Sequence, residues 1–180
     1  MKRAEKVRSG GNVRLTGGIF GGRKISTPGE KTHPMGERER LALFNMLGDL
    51  SGLSVLDAFA GSGALGIEAL SRGAASAVFI EKNAAAAHVI RENLATLDAN
   101  GEVVVGDVAS VDLGKTFDLI LVDPPYDNFG LEKVLPLVRL LNAGGTLVLS
   151  HPGEAPTIDG LALEKTRKYA AAHLSFYRLA

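Results

Sequence analysis

The residues with the clearest capacity for chemistry are Asp123-Pro124-Pro125-Tyr126, which follow directly on the apolar run Phe117-Asp118-Leu119-Ile120-Leu121-Val122. Each proline ring fixes its own φ and restricts the residue before it, so the pair holds the Asp123 carboxylate and the Pro124 carbonyl facing one way. Two fixed acceptors side by side can take both N–H groups of a planar exocyclic amine while Tyr126 stacks on the ring that carries it. The nitrogen lone pair is left directed out of the plane, where a methyl donor would be attacked in line. A proline-terminated strand with a capping aspartate and a core tyrosine would show the same four residues, so the motif needs support from the rest of the chain.

That support comes from the elements around it. Short apolar runs at residues 53–57, 77–81, 103–105, 117–122 and 146–149 read as buried strands. They alternate with helical patterns through about residue 72, over 84–97 and over 131–141. Strand–helix alternation predicts βαβ units and a doubly wound, mostly parallel Rossmann-like α/β sheet. Such sheets bind ligands beyond the carboxyl ends of their strands, which is where Asp123 falls. Residues 161–169 and 173–179 alternate without a helix between them, which predicts a terminal antiparallel hairpin and about seven strands in all. Ahead of the sheet, residues 37–47 place Leu41, Phe44, Met46 and Leu47 at helical spacing, with Glu37 and Glu39 in the first turn and Gly48 as the stop. Residues 1–13 read as a mobile basic arm, and 13–16 and 19–25 as short strands of a small N-terminal β-hairpin extension broken by glycine turns. The expected division is an arm and hairpin over 1–31 and a catalytic domain over 32–180.

The second constellation is Gly61-Ser62-Gly63-Ala64-Leu65-Gly66, a G-x-G-x-x-G placed after a strand and opening a helix, with Glu81 20 residues beyond Gly61. A nicotinamide or flavin dinucleotide is one ligand for such a loop. Asp57, four residues before the first glycine, argues against it, because its carboxylate would repel a pyrophosphate and attract the ammonium and sulfonium of S-adenosylmethionine. With that ligand, Asp57 and the Gly61–Gly63 backbone face the methionine part, and Phe59, Ala60 and Lys82 belong to the same crevice. Glu81 accepts the ribose hydroxyls, Asp107 accepts the adenine amino group, and Asn83 and Val108 flank the adenine. S-adenosylhomocysteine would be the product.

The composition narrows the function classes. The 180 residues contain no cysteine, which excludes a disulfide framework and a thiolate nucleophile, and the four histidines show no metal-ligand spacing. No apolar run reaches membrane-spanning length, so a cytoplasmic protein without a membrane partner is expected. Net charge is zero, yet residues 1–40 hold ten Lys and Arg against four acids, and the remainder is acidic to the same degree. A basic arm on an acidic body suggests a polyanionic partner, with Arg14, Arg23, Lys24, Arg38 and Arg40 on phosphates.

The series Asp57-x-Phe59-x-Gly61-Ser62-Gly63-x-Leu65-Gly66-x-Glu68-Ala69-Leu70-Ser71-Arg72-Gly73-Ala74, then Glu81, then Asp123-Pro124-Pro125-Tyr126, resembles the RsmD-type 16S ribosomal RNA guanine-N2 methyltransferases of bacteria. Gly17-Gly18-x-x-Gly21-Gly22-Arg23-Lys24-Ile25 is similar to that family's leading hairpin, and the stretch from His33-Pro34-Met35 to Asn45 to its entry helix. The departure is His33 and Met35, where the family usually has Arg and Thr, and no ligand contact is carried over from that turn. The resemblance implies methyl transfer from S-adenosylmethionine to the exocyclic N2 of a guanine in small-subunit rRNA, without a metal, by a monomer acting on rRNA or the small ribosomal subunit. The target base would have to be single-stranded or flipped, with Tyr126 replacing its lost stacking. An adenine-N6 or cytosine-N4 methyltransferase of DNA, a dinucleotide-dependent oxidoreductase and an inactive RNA-binding assembly factor are the alternatives the residues leave open.

Overall fold

The computed structural model describes residues 9–29, 35–128, 130–169 and 172–179. Five strands carry the parallel body: β3 (Ser54–Asp57), β4 (Ser76–Glu81), β5 (Glu102–Val105), β6 (Phe117–Val122) and β7 (Leu141–His151). With β8 (Leu161–Tyr169) and β9 (Ala172–Leu179) they form one seven-stranded sheet in the order β5-β4-β3-β6-β7-β9-β8. β9 is inserted between β7 and β8 and runs antiparallel to both. The order reverses between β3 and β6, and this switch point opens a crevice at the strands' carboxyl ends.

The apolar runs are continuous because both faces of the sheet are covered. Along β6, Leu119 and Leu121 pack with Leu43 and Phe44 of α1 (Glu37–Leu47) and Leu65 of α2 (Ala64–Ser71). Ile120 and Val122 face the other way, onto Val134, Leu137 and Tyr177. Each such side chain taken fully from water contributes on the order of 1.5–3 kcal/mol before chain entropy is counted, so β6 is held from both sides. α3 (Ala84–Leu97) covers the remaining edge through Ile90 and Leu94, with Asn83 capping its first turn by accepting from the Ala85 and Ala86 amides at 2.9 and 3.1 Å.

The N-terminal hairpin is a separate two-stranded sheet of β1 (Ser9–Arg14) and β2 (Lys24–Pro28). Its Leu15 and Ile25 are buried in the cluster that contains Ile67, Phe79 and Ile90. Among the described residues, strand structure begins at Ser9, within the stretch expected to be mobile. Residues 19–22, expected in the second strand, form instead the tight loop between the strands. That loop is tied to the carboxyl end of α2: the Ile19 amide donates to the Ser71 carbonyl at 2.8 Å, and the Phe20 amide to the Ser71 hydroxyl at 2.9 Å.

The helix expected over 131–141 is replaced by a 3₁₀ turn (Leu131–Lys133) and a single α-helical turn, α4 (Leu135–Val138), while β7 starts at Leu141, five residues before the expected strand. Pro136 suits the first turn of a helix, where its missing N–H would be unpaired anyway. Apolar spacing alone does not show that Leu141 pairs beside Phe117 in the sheet. Among the described residues no helix is long and apolar enough to cross a membrane.

Candidate active site

Parallel pairing sets the site. Because β5, β4, β3, β6 and β7 lie side by side and run the same way, their carboxyl ends deliver Asp107, Glu81, Asp57, Asp123 and Ser150 in that order along one rim. All five line a cavity of about 690 Å³. Phe59, Ala60, Gly61, Ser62, Lys82, Val108, Pro124, Pro125 and Tyr126 also line it.

The glycine loop closes the floor. Gly61 and Gly63 take φ of 54° and 80°, conformations that favour glycine, and let the chain turn from β3 into α2. At Gly66 a Cβ would fall 2.3 Å from the Phe79 ring, so only glycine lets the helix lie this close to β4. The Gly66 amide donates to Asp57 Oδ2 at 2.9 Å, and the Gly61 and Asn83 amides donate to the two Glu81 oxygens at 2.8 and 2.9 Å. The acids expected to hold a ligand thus also shape the loop.

Asp57 is buried, and its Oδ1 has no hydrogen-bond partner among the described residues. Burial pushes its carboxyl up to about 7, opposed by the Gly66 hydrogen bond and helped by the charges of Asp123 and Glu81. Burial likewise pushes Asp123 up to about 6, against a contact with the Ser150 hydroxyl. The Tyr126 hydroxyl meets Ser150 Oγ at 2.5 Å, which fixes the ring at the cavity wall. Ser150 was not marked by the sequence, since a serine at a strand end carries no signal until β7 is known to lie beside β6.

Other expected site residues lie elsewhere. Gly63 shapes the turn without lining the cavity, with its α-carbon face toward Ile67 and Ile90. Asn83 is spent on the α3 cap and does not reach the cavity. Arg40, expected on RNA phosphates, is buried: it lies 3.4 Å from Glu68 and donates to the Met35 and Arg14 carbonyls. A guanidinium so enclosed cannot meet a phosphate. Arg23 is exposed, but its guanidinium donates to the Thr96 carbonyl at 2.9 Å in the last turn of α3. Arg14 sits 3.7 Å from Glu37 with about half of its side chain exposed, and Lys24 and Arg38 are exposed. His33 and Pro34 lie outside the described residues, and Met35 lines the cavity. One residue not singled out is Asn93, whose amide group joins Ser26 of β2 to the Ser62 carbonyl of the glycine loop.

The family described as "Conserved hypothetical protein 95" matches residues 13–178. Ribosomal RNA small subunit methyltransferase D of Escherichia coli is 41% identical over 134 residues, covering 72% of this chain and 68% of that protein. Its counterpart in Haemophilus influenzae is 37% identical over 147 residues, 77% of this chain and 76% of that one. The chain belongs to the ribosomal RNA small subunit methyltransferase D family. A solved structure of the Escherichia coli protein yhhF superposes with a TM-score of 0.84 at 34% identity, over 94% of this chain and 98% of that one.

This methyltransferase uses S-adenosylmethionine, and its residues fit that ligand. A buried carboxylate oxygen without a donor and three carboxyls crowded on one rim call for a cation, which the ligand's ammonium and sulfonium supply. Two consequences follow from the raised Asp57 and Asp123 carboxyls. The folded chain holds protons that the unfolded chain releases near the ordinary 3.8, so their contribution to the stability of the free protein is complete below about pH 4 and lost as pH rises through about 6 to 7. Affinity for S-adenosylhomocysteine, whose ammonium needs the ionised form, rises in the same window, by roughly 10- to 30-fold between pH 5.5 and 8. Calorimetric titration across that range checks this. Asp57→Asn, which keeps an acceptor for Gly66, should bind weakly with a flat profile.

Proposed function

We propose that this methyltransferase transfers a methyl group to the exocyclic N2 of a guanine in small-subunit ribosomal RNA, acting in the cytoplasm as a monomer. The observation that carries the reading is that Asp123 and Pro124, whose carboxylate and carbonyl would form the acceptor pair, line the same cavity as Asp57, one of whose buried oxygens has no partner among the described residues. When bound, S-adenosylmethionine supplies an electrophilic methyl carbon on a sulfonium. Asp57, the Gly61 loop, Glu81 and Asp107 would hold it along the rim of β3, β4 and β5.

Guanine N2 is a weak nucleophile because its lone pair is conjugated with the ring. Accepting both N–H groups favours a pyramidal nitrogen and stabilises positive charge as it develops there. Asp123, whose carboxyl sits at about 6, can take the proton the alkylated nitrogen sheds and pass it to solvent. Most of the acceleration comes from alignment of the held nitrogen. Tyr126, fixed by Ser150, offers a face on which a flipped base stacks. Arg14, Lys24 and Arg38 remain exposed for phosphates. The hairpin loop lies at the far end of α2 from the cavity, so contacts through Arg23 and Lys24 would be made with RNA distant from the target base.

The test is mass spectrometry of small-subunit rRNA from cells with and without the protein. The reading expects one N2-methylguanosine to vanish and to return on incubation with the purified protein and S-adenosylmethionine. An unchanged rRNA methylation pattern, or a modified base that appears in DNA instead, would overturn it.

A further inference from the structure

Every acid on the strand rim has a task in the reading above, but the cavity has two further carboxylates from outside the sheet, the exposed Asp127 that follows Tyr126 and one from α1. Glu39, in the first turn of α1, lines the cavity. Its neighbours on the helix are engaged elsewhere: Glu37 faces Arg14, and Arg40 faces Glu68. Glu39 accepts no hydrogen bond and forms no ion pair among the described residues. Its carboxylate end lies over the Gly36 backbone at the start of the helix, where a Cβ on Gly36 would fall 2.1 Å from Glu39 Oε2. It is close enough to Tyr126 for its charge to help raise the phenol, after burial and Asp123. The carboxylate therefore shares the cavity with the ring expected to stack on the base, and it comes from α1 rather than from the strands that carry Asp57 and Glu81.

We propose that Glu39 is a specificity-determining residue that accepts the N1–H of the target guanine. This deepens the guanine-N2 reading and rests on it. Guanine carries donors at N1 and N2 on one edge, whereas adenine and cytosine present an acceptor beside their amino group. A carboxylate next to the amino-group acceptors pairs with the first pattern and repels the second. Asp123 and Pro124 alone would take any planar amine, so a further acceptor is what tells guanine from the others. Rejection by a site built to hydrogen-bond a group is strong, because the wrong base leaves the acceptor desolvated and unpaired.

The experiment compares small-subunit rRNA fragments carrying guanine or 2-aminopurine at the mapped target. 2-Aminopurine keeps the N2 amino group but has a bare lone pair at N1. Wild type should prefer guanine, and Glu39→Gln, whose amide can donate to that lone pair, should narrow the preference by roughly 10- to 100-fold in kcat/KM. The missing O6 of 2-aminopurine affects both enzymes alike and cancels in the ratio. Glu39→Ala should slow guanine without improving 2-aminopurine, and all three proteins should bind S-adenosylhomocysteine alike. An unchanged preference in Glu39→Gln would overturn the proposal. A loss of S-adenosylhomocysteine affinity in that variant would overturn it too, by assigning the carboxylate to the ligand's ammonium. If wild type methylates guanine neither in the free fragment nor in small subunits reconstituted with it, the guanine reading itself falls and the inference with it.

Discussion

Glu68→Ala is expected to destabilise the protein by about 3–5 kcal/mol, the usual cost of leaving a buried charge without its partner. The Glu68 side chain is fully buried and holds three elements at once. It accepts the Thr16 amide at 2.8 and 3.0 Å and the Thr16 hydroxyl at 2.5 Å from the hairpin, Arg40 Nε at 3.4 Å from α1, and Arg72 Nε at 3.0 Å from the end of its own helix. Truncation leaves the Arg40 guanidinium enclosed, although it keeps the carbonyls of Met35 and Arg14. Burial already pulls that guanidinium below its ordinary value, and Glu68 is the main group pushing back. Urea unfolding should show a lower midpoint with little change in slope, and Glu68→Gln, which keeps an acceptor without the charge, should fall between. Replacing Glu68 and Arg40 together by apolar residues should cost less than either single truncation. A loss under about 1 kcal/mol would mean that Leu15 and Ile25 dock the hairpin without help from the ion pairs.

The same network shows where sequence reasoning stops. Strand runs were legible because β6 is buried on both faces, so its residues are apolar whichever way they point. Asp57, Glu81 and Asp123 were legible because each ends such a run, and strand ends in a parallel sheet share a rim. Arg40 was misjudged for the opposite reason: it sits in a charge-rich stretch, and the partner that buries it lies 28 positions away. Ser150, Asn93 and Glu39 gave no signal, being ordinary polar residues until β7, α3 and α1 are placed around the cavity. The resemblance did include Glu68, but only as part of a motif, and its physical role is to fasten the hairpin onto the helix that carries the glycine loop.

Asp123→Ala is expected to lower kcat/KM by about 10³-fold, at the upper end of what losing one preorganised transition-state partner costs. The change should leave S-adenosylhomocysteine affinity within a few-fold, because Asp57 and Glu81 remain on their own strands. It should not harm stability at neutral pH, since burial disfavours the ionised Asp123 carboxyl in the free protein. Asp123→Asn keeps an oxygen that can accept from the amino group but cannot take its proton. It should therefore lose less activity than alanine, while the limb of the kcat/KM profile near pH 6 disappears. Rapid-quench methyl transfer and calorimetric binding separate these effects. If both variants lose ligand affinity in proportion to activity, Asp123 belongs to the cation site and the acceptor pair is not what activates the amine. If activity survives in alanine, the nitrogen is aligned by other groups, and the two prolines serve only to end β6.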